Sequence, residues 1–214
     1  MTRNTANTPR KKSGLYTFLV FLASLVFHTI MPVRYEHKEY AKLDAPYILI
    51  GNHISMLDPV IAAYGIKKLQ IRFLGKSELI ISPILRFFFK HLHMIPVNRF
   101  NTDMKALRAM LKVLKDGNVL GIFPEGTRYK EGIMENMEGG VAMIALQSNV
   151  PILPVYIQGT VKPFHRVRCI YGEPFTVSDI KARGVNKETG QEVLQRIRDI
   201  YRKMAAENAQ TPQK

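Results

Sequence analysis

The chain has 214 residues, 46% hydrophobic and 22% charged, which suits one domain with a buried core and is too apolar for general disorder. Lysine and arginine number 31 against 17 acidic residues, giving a net charge of +14 that favours an anionic partner. No zinc-ligand spacing or recognition-helix motif accompanies that charge, so an anionic membrane and phosphorylated substrates fit it better than nucleic acid.

Residues 1–14 read as a basic polar tail. The stretch 15–31 is almost continuously apolar, and a helix there would reach about 25 Å, short of a ~30 Å hydrocarbon core. Arg10-Lys11-Lys12 would suit the start of a signal peptide, but no small-x-small cleavage site follows the apolar run. Positive charge also stands on the far side, at Arg34, Lys38 and Lys42, so it assigns no direction of crossing. The expected element is a membrane-anchoring helix over 15–33, lying in or dipping into the cytoplasmic leaflet of the cell membrane. A buried first helix of the globular domain is the alternative. The folded domain then occupies 34–208, and 209–214 is a second polar tail.

Tyr47-Ile48-Leu49-Ile50, between Pro46 and Gly51, predicts a buried strand. His53 falls just past its end, where α/β sheets place their ligands. Asp58-Pro59 predicts an N-cap followed by proline at the first helical position. A strand is expected over 70–75, and Ser82-Pro83 opens a helix running to Lys90. Its Phe87-Phe88-Phe89 run is either core or an apolar lip at a lipid surface. A strand over 94–97 ends at Asn98-Arg99. Met104, Leu107, Met110, Leu111 and Leu114 then keep helical spacing up to Gly117.

A strand over 119–123 delivers Glu125 to the turn that follows. Gly139-Gly140 opens a short helix ended by Asn149-Val150-Pro151, and two strands follow at 152–157 and 166–171. The second holds Cys169, the chain's one cysteine, which excludes an intrachain disulfide and reads as an inert buried thiol. Thr189-x-x-Glu192 predicts a capping box for the last helix, whose apolar face is Val193, Ile197, Ile200, Tyr201 and Met204. Strands alternating with helices predict a single α/β domain: a mixed, mostly parallel central sheet flanked by helices, preceded by the N-terminal apolar helix.

His53 and Asp58 supply a general base and an orienting carboxylate. Five helical steps rotate by about 140°, so the pair cannot share one helix face. A strand end, a turn and a helix start would bring them together. Taken singly, each has a structural alternative: a histidine beside a strand, and a helix cap. Ser55 makes a poor nucleophile, since the chain has no Gly-x-Ser-x-Gly elbow. Lys76, Arg99 and Arg128 are candidates for a substrate phosphate, with surface ion pairs as the alternative for the two arginines. The six histidines form no His-x-x-x-His pair and no metal is expected.

Five blocks follow in order. They are Asn52-His53-Ile54-Ser55-Met56-Leu57-Asp58, Gly75-Lys76-Ser77-Glu78-Leu79, Ile95-Pro96-Val97-Asn98-Arg99, Phe123-Pro124-Glu125-Gly126-Thr127-Arg128 and Val150-Pro151-Ile152-Leu153-Pro154-Val155. Together they resemble the glycerolipid acyltransferase family, above all its bacterial 1-acyl-glycerol-3-phosphate acyltransferases. The resemblance covers roughly residues 47–157. It implies transfer of a fatty acyl group from acyl-CoA or acyl-carrier protein to the sn-2 hydroxyl of lysophosphatidic acid, giving phosphatidic acid without a further cofactor. It also implies His53 as base, Asp58 as its orienter, and acceptor binding by Arg99, Glu125, Gly126, Thr127 and Arg128. Three positions depart from the family pattern. Asn98 replaces a frequent aspartate, Tyr129 a common serine, and Glu138 a frequent lysine. The last leaves other lysophospholipids or glycerol-3-phosphate open as acceptors. A catalytically silent lipid-binding protein is the alternative from a different class.

Overall fold

Short apolar runs bounded by glycine and proline assemble into one sheet of seven strands. They are β1 (Val33–Glu36), β2 (Ile48–Gly51), β3 (Ile71–Lys76), β4 (Ile95–Val97), β5 (Val119–Ile122), β6 (Ile152–Gly159) and β7 (Val167–Tyr171). The helices are α1 (Gly14–Thr29), α2 (Asp58–Tyr64), α3 (Pro83–His91), α4 (Met104–Lys115), α5 (Gly140–Ser148), α6 (Ser178–Lys181) and α7 (Lys187–Asn208). The structure, a computed structural model, describes residues 12–66, 69–78, 82–97, 104–126 and 133–209.

The strand order is β1-β7-β6-β2-β5-β3-β4, and every neighbouring pair is parallel except β6–β7. The mixed, mostly parallel sheet expected from the sequence is therefore present. β1 is an element the sequence does not announce. Val33 reads there as the end of the anchor, and only part of this four-residue edge strand is screened from solvent.

Alternation along the central strands feeds two cores, one on each face of the sheet. Ile48 and Ile50 join Leu120, Ile122 and the inner faces of α4, α5 and α7. Tyr47 and Leu49 join Ile71, Phe73 and the inner faces of α1 and α2. The apolar stripe expected on the last helix is core packing, with Val193, Ile197, Tyr201 and Met204 all buried. That helix starts earlier than predicted. Asn186 is its cap: Asn186 Oδ1 accepts the Thr189 N–H at 2.8 Å, and Thr189 Oγ1 accepts the Asn186 N–H at 3.0 Å. Thr189 is thus the third helical residue, closing the box rather than opening it.

α1 begins at a true cap, Ser13, whose Oγ accepts the Tyr16 N–H at 3.1 Å and donates to the His91 carbonyl at 2.9 Å. Tyr16, Ala23 and Phe27 turn inward. Phe18, Phe21, Leu22 and Leu25 form the opposite stripe, with Phe21 70% exposed. This reverses the usual pattern, in which the outer face of a surface helix is polar. Among the described residues, no helix is long and apolar enough to cross a membrane. The element expected over 15–33 is therefore a helix ending at Thr29, with one face in the domain core and an uncharged apolar face outward.

Candidate active site

β2 and β5 run side by side and end at the same edge of the sheet, so the segments that follow them meet there. Gly51, the last residue of β2, lies beneath the Phe123 ring. A Cβ at this position would come within 2.7 Å of that ring. The lack of a side chain lets Phe123 lie close, where it backs the His53 imidazole at a centroid separation of 4.9 Å. Phe73 stacks behind Phe123 at 5.8 Å.

The N-cap expected at Asp58 is not what forms. Asp58 is the first residue of α2, and its carboxylate turns back to the preceding turn. Oδ2 takes the Ile54 N–H at 2.6 Å, the Ser55 N–H at 2.7 Å and His53 Nδ1 at 2.8 Å. The reason is geometric: the turn between His53 and Asp58 folds tightly enough to aim its amides at the carboxylate. Asp58 is fully buried, while the His53 side chain keeps 15% of its surface open. A carboxylate only accepts, so Nδ1 carries the hydrogen, which in the neutral ring leaves the lone pair on Nε2. Ser55 is not poised as a nucleophile: its Oγ accepts the Leu57 N–H at 3.2 Å, supporting the turn.

Glu125 occupies a place the sequence did not reveal. It is buried, with Oε2 accepting the His53 main-chain N–H at 3.0 Å and Oε1 accepting the Met134 N–H at 2.9 Å. Its carboxylate braces the main chain at His53 and at Met134. Gly126 follows in the left-handed region at φ 65, a conformation that suits glycine. Glu138 stands against it: a Cβ at Gly126 would lie 2.4 Å from Glu138 Oε1.

Two further residues hold the strand end that carries His53. Asn52 is buried and pairs with Ile157 as a peptide group would, donating to its carbonyl at 2.9 Å and accepting its N–H at 2.7 Å. Tyr201, from α7, donates to the Ile50 carbonyl at 2.5 Å and accepts the Val155 N–H at 3.2 Å. The phenol is inserted between the Ile50 carbonyl and the Val155 N–H, bridging β2 to β6, while the Pro154 carbonyl faces the other way and accepts the Gly172 N–H at 2.8 Å. Burial pushes the Tyr201 hydroxyl well above the ordinary tyrosine range, keeping it a donor. In the sequence Tyr201 is legible only as an apolar position. Cys169 is the buried thiol expected of it, and burial pushes its pKa up to about 12.

His53, Phe123, Gly126 and Glu138 line a cleft of about 740 Å³. Much of its wall is apolar, carried by Leu74, Val97, Leu107, Met110 and Ile144. Lys76 is the last residue of β3, whose C-terminal end lies at the same sheet edge. Arg99, Thr127 and Arg128, the other expected acceptor residues, lie outside the described residues.

A family model for acyltransferases matches residues 32–158, more than half of the chain and all the residues assigned above to catalysis and acceptor binding. The chain belongs to the acyltransferase family. This acyltransferase is 27% identical over 199 residues to the 1-acyl-sn-glycerol-3-phosphate acyltransferase of Bacillus subtilis (strain 168), covering 89% of this chain and 98% of that one. It is 30% identical over 203 residues to the protein of the same name from Streptococcus pneumoniae (strain ATCC BAA-255 / R6), covering 91% and 75%. Its fold matches the crystal structure of the 1-acyl-sn-glycerophosphate (LPA) acyltransferase PlsC from Thermotoga maritima, with a TM-score of 0.67, 23% identity, and coverage of 90% of this chain and 78% of that one. The protein is thus an acyltransferase enzyme.

Proposed function

We propose that this acyltransferase moves a fatty acyl group from a thioester, acyl-CoA or acyl-carrier protein, to the sn-2 hydroxyl of 1-acyl-sn-glycerol-3-phosphate. The product is phosphatidic acid, a step of phospholipid biosynthesis. The observation that carries the reading is the buried Asp58 carboxylate 2.8 Å from His53 Nδ1 at the wall of a largely apolar cleft. The names of its relatives supply the acceptor class.

His53 Nε2 takes the proton of the acceptor hydroxyl as its oxygen attacks the thioester carbonyl. Asp58 holds the imidazole in the required tautomer and stabilises the imidazolium that forms. The tetrahedral intermediate collapses with cleavage of the carbon–sulfur bond, and the departing thiolate takes the proton from His53. An ester and a free thiol result, so no covalent acyl-enzyme is required. The apolar wall accepts an acyl chain, whose burial stabilises the complex by about 0.8 kcal/mol per methylene. Lys76, Arg99 and Arg128 supply positive charge for the acceptor phosphate, and Glu125, Gly126 and Thr127 complete the acceptor-binding set. The exposed stripe of α1 rests on the cytoplasmic face of an anionic cell membrane, which presents the lysolipid.

A second reading of the acceptor has its own support. Glu138 places a carboxylate in the cleft beside Gly126, opposing a doubly charged phosphate monoester and favouring a lysophospholipid whose phosphodiester carries a single charge; glycerol-3-phosphate, the other alternative acceptor, gains nothing from it. The deciding experiment assays thiol release by purified protein with one acyl-CoA and a panel of acceptors, beside His53→Ala. The expected result is strongest activity with 1-acyl-sn-glycerol-3-phosphate and a loss of about 10²–10⁴ in rate in the folded variant. Full activity in His53→Ala would end the mechanism, and preference for another acceptor would end the substrate assignment.

A further inference from the structure

The β6–β7 hairpin carries an aromatic side chain that the catalytic reading does not use. Phe164 is 84% exposed, the most exposed large hydrophobic side chain among the described residues. Lys162, Pro163, His165 and Arg166 around it are exposed as well. Its backbone sits at φ 62, an unusual conformation for a bulky residue. Main-chain bonds hold it there: Phe164 N–H donates to the Ile30 carbonyl at 2.7 Å, and His165 N–H to the Lys162 carbonyl at 3.2 Å. Gly159, at φ 111, lets the chain leave β6 close to Arg166, whose carbonyl would lie 2.7 Å from a Cβ there. The loop is built to keep the ring in the open.

Topology puts this loop on the same side of the molecule as the base. β6 runs parallel to β2 with Val155 opposite Gly51, so the 160–166 loop leaves the sheet at the edge that carries His53. β7 begins at that edge, with Val167 opposite Gly159, and β1 runs parallel to it from Val33. The C-terminal end of α1 therefore reaches the same edge. Ile30, Ile54, Met56 and Leu57, all exposed, lie there too. One side of the molecule thus combines exposed apolar side chains, flanking cations and the loop that carries the catalytic residue.

We infer that the 160–166 loop is a second lipid-contact element, in which Phe164 enters the headgroup boundary of an anionic bilayer while Lys162 and Arg166 meet its phosphates. The inference rests on the membrane reading given for α1 and extends it to a separate segment. Aromatic rings favour the membrane–water interface, and cations near an anionic leaflet gain from its surface potential. The flanking charges select a lipid surface over an apolar protein partner. Contact at both α1 and this loop turns the His53 edge toward the bilayer, so a lysolipid reaches the base without entering water.

The chain contains no tryptophan, so Phe164→Trp gives a full-length enzyme with a single reporter. With phosphatidylglycerol vesicles its emission should shift to the blue and be quenched by brominated acyl chains; with phosphatidylcholine vesicles the shift should be much smaller. Phe164→Ala should lower partitioning onto phosphatidylglycerol vesicles roughly tenfold, with an unchanged Tm because the ring touches no core. If the protein floats with anionic vesicles while the introduced indole stays solvent-like and Phe164→Ala binds as well as wild type, the loop is not a contact and the α1 reading survives. If wild-type protein fails to float at all, both fall.

Discussion

The main-chain N–H of His53 donates to the Glu125 carboxylate at 3.0 Å, tying together two strand ends that lie 72 positions apart in the sequence. The other oxygen of Glu125 holds Met134, so one buried carboxylate fixes the main chain at both His53 and Met134. Placement of His53 therefore depends on a residue that the family resemblance assigns to acceptor binding.

Glu125→Gln tests the two roles against each other. Its amide would face one main-chain N–H, and an unsatisfied buried donor costs about 1–3 kcal/mol. We expect Tm to fall by roughly 2–10 °C and kcat to fall with it, acceptor KM changing little. An unchanged Tm with a strongly raised acceptor KM would instead place Glu125 on the substrate.

Removing His53 and removing Asp58 should give different signatures. His53→Ala takes away a partly open ring and should leave Tm near wild type. Asp58→Ala orphans the amides of Ile54 and Ser55 together with His53 Nδ1, and should cost at least about 3 kcal/mol as well as activity. Thermal unfolding of the two variants side by side decides it. Equal stability would mean that the Asp58 bonds carry no weight in the fold.

Tyr201→Phe keeps the ring in the core and removes only the hydroxyl that bridges Ile50 and Val155. The expected cost is about 1–3 kcal/mol, with a lower kcat because the strand leading to His53 loosens. Steady-state kinetics on the folded variant check this, and a wild-type kcat would confine Tyr201 to packing.

Arg168 grips Glu36 through two bonds of 2.8 Å, linking β7 to the edge strand β1. That hydrogen bonding, helped by the guanidinium charge, holds the Glu36 carboxyl below its ordinary value. A depressed folded-state pKa contributes stability above the usual carboxylate pKa of about 4.3, and that contribution is lost as pH falls through the folded value. Urea midpoints measured from pH 7 down to pH 3 should fall more steeply for wild type than for Glu36→Gln. Parallel curves would show that the pair contributes no pH dependence.

The two faces of α1 can be separated. Phe21→Ser combined with Leu25→Ser should reduce binding to anionic vesicles at least tenfold and leave Tm unchanged, since both side chains are exposed. Deleting residues 1–31 should also lower Tm, because it strips Phe27 and Met31 from the core. Vesicle flotation and calorimetry read these out separately. A double variant that floats like wild type would move the anchor off this face.

The sequence alone determined the elements whose signals are local. Apolar runs between glycine and proline placed β2, β5 and β6, spacing placed α4, and the five ordered blocks carried the family and the His53–Asp58 pair. Local periodicity records which side chains leave water, and motif order records shared ancestry. Tertiary structure alone decided what those side chains touch. Asp58 turns back to the turn before it because the chain folds tightly between the two residues. Asn52 pairs with Ile157 and Tyr201 with Ile50 across 105 and 151 positions, separations at which sequence pattern carries no information about hydrogen-bond partners. The same holds for α1, where one apolar stretch supplies a core face and an open face, because an apolar side chain reads alike whether it meets protein or solvent.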